Sequence, residues 1–209
     1  MSATAGYLAK VRKSGVSTSF TGEATVNTSG NVWRITDTVK RVWDRATVPT
    51  FFDDSVAIDV ADISSIDYLF GEVTFTGVKV GPITVTGSYM PMSLVAGAKS
   101  VTLDRASVIH DSTDFSNAGA HEKITGMKDA SSSMSKWFDI GYVFSDILSA
   151  RETVMIEITP DDTHIYRGWF IPESVGLSLD ITALLEESVS FQLDGGIVAG
   201  ASFSHKVVS

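Results

Sequence analysis

Residues 153–193 read TVMIEITPDDTHIYRGWFIPESVGLSLDITALLEESVSFQL, and this stretch decides the fold. Val154, Ile156 and Ile158 alternate with Thr153, Met155, Glu157 and Thr159. Pro160, Asp161 and Asp162 then turn the chain. Ile165, Arg167, Trp169 and Ile171 alternate with His164, Tyr166, Gly168 and Phe170 until Pro172 breaks the run. Val175, Leu177, Leu179 and Ile181, and then Val189, Phe191 and Leu193, repeat the pattern. Period two buries one face of a strand and wets the other, so the stretch predicts consecutive antiparallel strands. The wet faces carry hydroxyls and carboxylates and neither a metal cluster nor a catalytic pair, which points to a structural role.

Working outward, 209 residues at 44% hydrophobic content suffice for one sizeable core, or a core plus an appendage. The chain has no cysteine, so it holds no disulfide, thiolate metal site or thiol nucleophile. No apolar run approaches the roughly 20 residues that span a bilayer, and residues 1–16 lack a signal-peptide core. The expectation is a soluble protein made in a cytoplasm. A net charge of −9 argues against tight nucleic-acid binding. Residues 1–45 are nevertheless basic, at +4, so the remainder carries −13. Solvated surface explains that asymmetry. So does a basic segment, with Lys10, Arg12 and Lys13, docking on an acidic face of a neighbouring copy.

Residues 1–31, rich in Ser, Thr and Gly, predict an arm that orders late. Short strands are expected around Val32–Ile35, Arg41–Trp43, Val48–Phe52 and Val56–Ile58, with Trp33, Trp43, Phe51 and Phe52 filling a small core. Asp53 and Asp54 read as a turn. Glu72–Thr76 and Ile83–Tyr89 read as a hairpin. Two segments result: residues 1–94 as an arm and small β unit, separate from or part of the same domain, and residues 95–209 as the β core. In the latter, Ser100–Val108 predicts a strand and residues 109–130 a long polar loop. Asp139 is a good N-cap, and Ile140, Val143, Phe144, Ile147 and Leu148 form one apolar stripe, so residues 139–149 predict one flanking α-helix.

The residue types of catalysis are present without their spacing. His110, His121, His164 and His205 form no zinc pair. Asp53, Asp54, Asp59 and Asp62 do not match a calcium loop. There is no Gly-x-Ser-x-Gly elbow and no phosphate loop. The reading is a non-enzyme without a cofactor or metal.

The second half carries a resemblance. DSTDFS at 111–116, EKITG at 122–126, DASSS at 129–133, the helix, VMIEI at 154–158, YRGWF at 166–170 and LLEESVSF at 184–191 occur in that order. The region 95–207 resembles the major tail tube proteins of long non-contractile-tailed (siphovirus-type) bacteriophages, and more distantly their relatives in gene-transfer and secretion tubes. DYLFGEVTF at 67–75 with VTGSYMP at 85–91 resembles an N-terminal unit of some phage virion proteins. The resemblance implies a mainly β fold, an antiparallel sandwich whose sheets join into a barrel in a tail tube, with the one flanking helix.

It further implies hexameric rings that stack into a hollow tube. The tube would surround a tape-measure protein, meet tail terminator and distal tail or tip proteins, and pass double-stranded DNA during ejection. The location would be the virion, with no membrane partner. On that reading Asp111, Asp114, Phe115, His121, Glu122 and Lys123 belong to an inter-subunit or inter-ring loop. Glu72, Asp104 and Glu157 are candidates for an acidic lumen that repels phosphate, and Lys10, Arg12 and Lys13 for the docking arm. The alternative is another virion β-sandwich: a head decoration, an adaptor or terminator, or a glycan-binding tail module.

Overall fold

Alternation turns into strands through most of the chain. The computed structural model describes residues 9–111, 123–137, 148, 152–161, 163–178, 185–195 and 203–207. In order the strands are β1 (Lys10–Ser14), β2 (Thr18–Ser29), β3 (Val32–Ile35), β4 (Thr50–Asp53), β5 (Val56–Ala57), β6 (Ile63–Asp67), β7 (Glu72–Phe75) and β8 (Ile83–Tyr89). They continue with β9 (Met92–Leu94), β10 (Ala98–Asp111), β11 (Lys123–Trp137), β12 (Val154–Thr159), β13 (His164–Ser178), β14 (Glu186–Leu193) and β15 (Phe203–Val207). A 3-10 turn covers Val60–Asp62, with Asp59 as its N-cap. The fold is mainly β and antiparallel. The helix expected over 139–149 lies, apart from Leu148, outside the described residues.

The chain divides into two units that interleave in sequence. The first is Met1–Val95 with Val154–Trp169 and Gly195–Ser209; the second is Ala96–Thr153 with Phe170–Asp194.

In the first unit, β2 organises a seven-stranded sheet of order β5-β4-β8-β2-β3-β7-β6. Its first part pairs with β8, from Thr18↔Tyr89 to Ala24↔Thr84, and its second with β3, from Thr25↔Ile35 to Ser29↔Val32. A bulge between Phe20 and Glu23, with Gly22 at φ +63°, bends the strand. The sheet thereby wraps one core that contains Phe20, Trp33, Ile35, Trp43, Phe51, Val73, Phe75 and Val85. Phe51 sits 5.8 Å from Trp43 and 5.9 Å, edge-on, from Phe75. Each such buried side chain contributes about 1.5–3 kcal/mol. Trp33, Trp43 and Phe51 fill this core as expected, while Phe52 is half-buried.

Three expectations are corrected here. Residues 18–29 are no late-ordering arm but a central strand of twelve residues, because Ser, Thr and Gly do not prevent ladder bonding when both neighbours are strands. The segment 41–43 forms no strand, only a bridge from Trp43 to Tyr89. The hairpin of β7 with β8 does not exist. Here β7 pairs with β3 and β6, and β8 with β2 and β4. Alternation fixes which face is buried, and Val73, Phe75, Ile83 and Val85 do share one core; it says nothing of the lateral neighbour.

The same unit holds a second run of strands. The strand β1 lies between β9 and β12, in register Arg12↔Leu94 and Arg12↔Glu157. The start of β13 pairs with β12 and, from His164↔Val207 to Gly168↔Phe203, with β15. All six residues of β12 are buried. The expected wet positions Met155, Glu157 and Thr159 are therefore covered, since a strand with neighbours on both faces has no wet face.

The second unit is a four-stranded arrangement, β10-β11-β14 followed by Phe170–Ser178 of β13. Two corrections fall in it. The described parts of the polar stretch 109–130, residues 109–111 and 123–130, are strand, with Ile109↔Thr125, His110↔Ile124 and Asp111↔Lys123 in register, so β10 and β11 form one long ribbon. Backbone ladder bonds tolerate polar side chains on both faces. Pro172 does not end a strand: β13 runs through it with a bulge between Pro172 and Ser174. Phe170 and Pro172 are buried while Ile171 and Leu177 are exposed, the reverse of the simple alternation; the change of face falls between Trp169 and Phe170, both buried, ahead of the bulge.

Candidate assembly surfaces

In the second unit, Ala130, Ser132, Met134 and Lys136 of β11 and Glu187, Val189 and Phe191 of β14 point to a buried side. Lys136 and Glu187 are paired there at 3.0 Å. By alternation the opposite face presents Ser131, Ser133 and Ser135 beside Ser188, Ser190 and Gln192. The register adds Ser100, Thr102 and Asp104 from β10, and Ser174, Gly176 and Ser178 from β13.

The hydroxyls on this face bond across the strands. Ser100 Oγ meets Ser135 Oγ at 2.7 Å, Thr102 Oγ1 meets Ser133 Oγ at 2.6 Å, and Ser174 Oγ meets Ser190 Oγ at 2.6 Å. Cross-strand hydroxyl pairs of this kind stabilise a sheet modestly. Among the described side chains one cation reaches the face: Lys99, bound to Glu186 and lying 4.8 Å over the Trp137 ring. The predicted lumen residue Asp104 is exposed on this face. Among the described residues, β10 has a strand partner on one side only.

The other predicted lumen residues lie in the first unit, in ion pairs. Glu157 is 2% exposed. Its Oε1 pairs with Arg12 Nη1, and its Oε2 accepts from Arg167 Nε at 2.8 Å and pairs with Nη2 at 2.7 Å. Arg167 Nη1 donates to the Leu69 carbonyl at 2.6 Å, and its guanidinium lies 4.7 Å over Phe70. Glu72 accepts from Lys206 at 2.6 Å and faces Arg34 at 3.8 Å. Neither presents an unpartnered carboxylate to solvent. Burial, together with the charges of Arg34 and Arg167, pushes the Arg41 guanidinium below its ordinary value.

The basic residues Lys10, Arg12 and Lys13 lie on β1, inside a sheet and not on a loose arm. Of the predicted loop, Asp111 and Lys123 are partners at the end of the β10–β11 ribbon; Asp114, Phe115, His121 and Glu122 lie outside the described residues. The sequence reading missed Arg167 and the histidine stack. Arg167 sits in the apolar register of Ile165 and Trp169, and a charge in such a position calls for a buried partner. His164 and His205 stack with centroids 5.6 Å apart, a contact that no sequence spacing could signal.

A cavity of about 300 Å³ opens in the first unit beside this ion cluster, lined by Arg12, Val39, Val42, Met92, Glu157 and Arg167. Among the described residues no group of three or more His, Cys, Asp or Glu is placed to hold a metal, and no helix is long and apolar enough to cross a membrane.

No protein-family model matches the chain, and no curated protein does either. Solved structures similar to it include the tail of an empty gene transfer agent particle, helically refined with C6 symmetry, at 18% identity and a TM-score of 0.44. That match covers 53% of this chain and 87% of the other. The virion of a native gene transfer agent particle is similar at 17% identity and a TM-score of 0.43, over 56% of this chain and 89% of the other. Likenesses of that extent leave function to be argued from the residues themselves.

Proposed function

We propose that the chain is a non-enzymatic structural subunit of a phage-type tail tube, in which copies join side by side into rings and the rings stack. The observation that carries the reading is the hydroxyl-lined face of β10, β11, β14 and the end of β13. A face that must let DNA pass needs to be hydrated and poor in unpaired Lys and Arg, because each cation-phosphate contact adds counterion-release affinity and would hold the polymer. Serines paired with one another, Asp104 and a neutralised Lys99 meet that requirement. The edge of β10 supports joining: a strand edge of this length, without a second neighbour among the described residues, favours pairing with another chain, and closing a ring of copies removes it. The resemblance of residues 95–207 to tail tube proteins points the same way. On this reading the rings are hexameric and surround a tape-measure protein, the ends meet terminator and tip proteins, and the chain works in the virion.

Negative-stain electron microscopy of concentrated and dilute protein tests the reading. Stacked rings or hollow tubes at high concentration are expected. Single compact particles at every concentration, together with binding to capsids, would replace it with a decoration or adaptor role.

A further inference from the structure

The first unit has two chemically opposite ends. The register sets them apart: Asp53↔Ile83 and Ile63↔Phe75 lie at one end of the seven-stranded sheet, and Thr18↔Tyr89 and Arg34↔Glu72 toward the other. At the first end, Val56, Val60, Val78 and Val80 are 69%, 76%, 77% and 90% exposed. Four bare valines from β5, the 3-10 turn and the loop between β7 and β8 are unusual on a surface with nothing to cover it. The turns are held in place. Lys79 Nζ pairs with Asp62 Oδ2 at 2.9 Å, Thr76 N donates to Asp62 O at 2.9 Å, and Asp59 Oδ1 accepts from Ala61 N at 2.8 Å. Asp53, Asp54, Asp59 and Asp62 lie on the strand ends and turns that carry Val56 and Val60, and Lys79 lies between Val78 and Val80, so the segments of this end hold more carboxylates than cations.

The other end carries the cavity of about 300 Å³. Its mouth has Val39, 62% exposed, its wall has Val42 and Met92, and two guanidiniums share the single carboxylate of Glu157. The cavity lining is mixed, Val39, Val42 and Met92 beside Thr38, Arg12, Arg167 and Glu157, with two cations to one carboxylate, where the valine end is apolar with more carboxylates than cations. The volume suits side chains of a loop, being at the bottom of the roughly 300–1,000 Å³ range of ligand pockets.

We infer that the valine end of one copy docks at the Arg12 and Val39 cavity of a second copy, so that first units stack head to tail. Such a contact is heterologous and does not close on itself, which lets it repeat without limit. Ordered turns lose little entropy on docking. The charge pattern sets the polarity of the stack, because valine end against valine end would juxtapose carboxylates. The inference deepens the self-assembly reading above but does not depend on rings.

The test uses two full-length variants with lesions at opposite ends, both at exposed positions. V78K/V80K spoils the valine end, and Val39→Asp spoils the cavity end. Sedimentation velocity of the wild type is expected to show mass growing with concentration. Each variant alone should stop at the unstacked species, ring or single subunit. An equimolar mixture should form a species of twice that mass and no larger one, because each variant retains one sound end. The inference is overturned if the wild type never exceeds the unstacked species, if either variant grows like the wild type, or if the mixture fails to double. The mass of the unstacked species reports separately on the ring reading.

Discussion

Glu157 shows what a single buried charge can demand of a fold. It sits between Arg12 on β1 and Arg167 on β13, with almost no exposure. Such a group is costly to desolvate and is kept only because both oxygens are partnered. Glu157→Gln leaves two guanidiniums facing a neutral amide, and is expected to cost about 3–5 kcal/mol. Urea midpoints at constant m-value would measure it. Replacing Glu157 and Arg167 together with methionine should cost less than Glu157→Gln, and a larger loss would show that the pair is more than a satisfied burial. Gly71 is a second such position. It has φ +62°, and a Cβ there would lie 2.8 Å from the Arg41 carbonyl oxygen. Gly71→Ala adds about 1–2 kcal/mol for left-handed backbone to a clash with main chain. Its melting temperature should fall by at least about 2–4 °C for each kcal/mol lost. A variant melting like the wild type would mean that the turn around Arg41 can shift.

Among elements, the β12–β13 turn rests on one side chain. Asp161 Oδ1 accepts from Thr163 N at 2.8 Å and His164 N at 2.7 Å. Those backbone donors hold its carboxyl well below the ordinary carboxylate range. A depressed carboxylate contributes stability that is present above its unfolded value, near pH 4, and is lost as the pH falls toward the folded one. Asp161→Ala should therefore melt below the wild type at pH 7, with the gap narrowing from about pH 4 downward; a gap independent of pH would sink this account. The turn itself was legible, since Pro160, Asp161 and Asp162 announce it. So were β3, β12 and the buried faces of β7 and β8. The pairing of β7 and β8 was not, because period two names a face and not a neighbour. The ends of β10 and β11 were not either, because their few apolar residues, Ile109, Ile124 and Met127, do not recur at period two. Of the assembly surfaces, Ser131, Ser132, Ser133 and Ser135 stand together in the sequence. Their hydroxyl partners Thr102 and Ser190 lie far away in sequence, and only the register brings them to one face.

At the scale of the whole molecule, the tube reading turns on which way that hydroxyl face points after assembly. The chain has no cysteine, so one introduced at Ser133 would report on that face alone. Ser133 is exposed and bonded only through its hydroxyl to Thr102, so Ser133→Cys should fold with a loss of about 1 kcal/mol or less. In dispersed subunits, both a small maleimide and a polymer-bearing one should label it. In assembled material the small reagent should still react, because a lumen that passes hydrated DNA admits small molecules, while the bulky reagent should be excluded. Labelling of assembled protein by both reagents would place the face on the outside and remove the physical reason for its lack of unpaired cations among the described side chains. Labelling by neither would place it in a contact between copies. In that case the serines would be packing partners, and the lumen would have to be sought on another sheet. Only size-selective labelling is consistent with a water-filled channel, and it distinguishes a tube from a filament whose subunits merely stack.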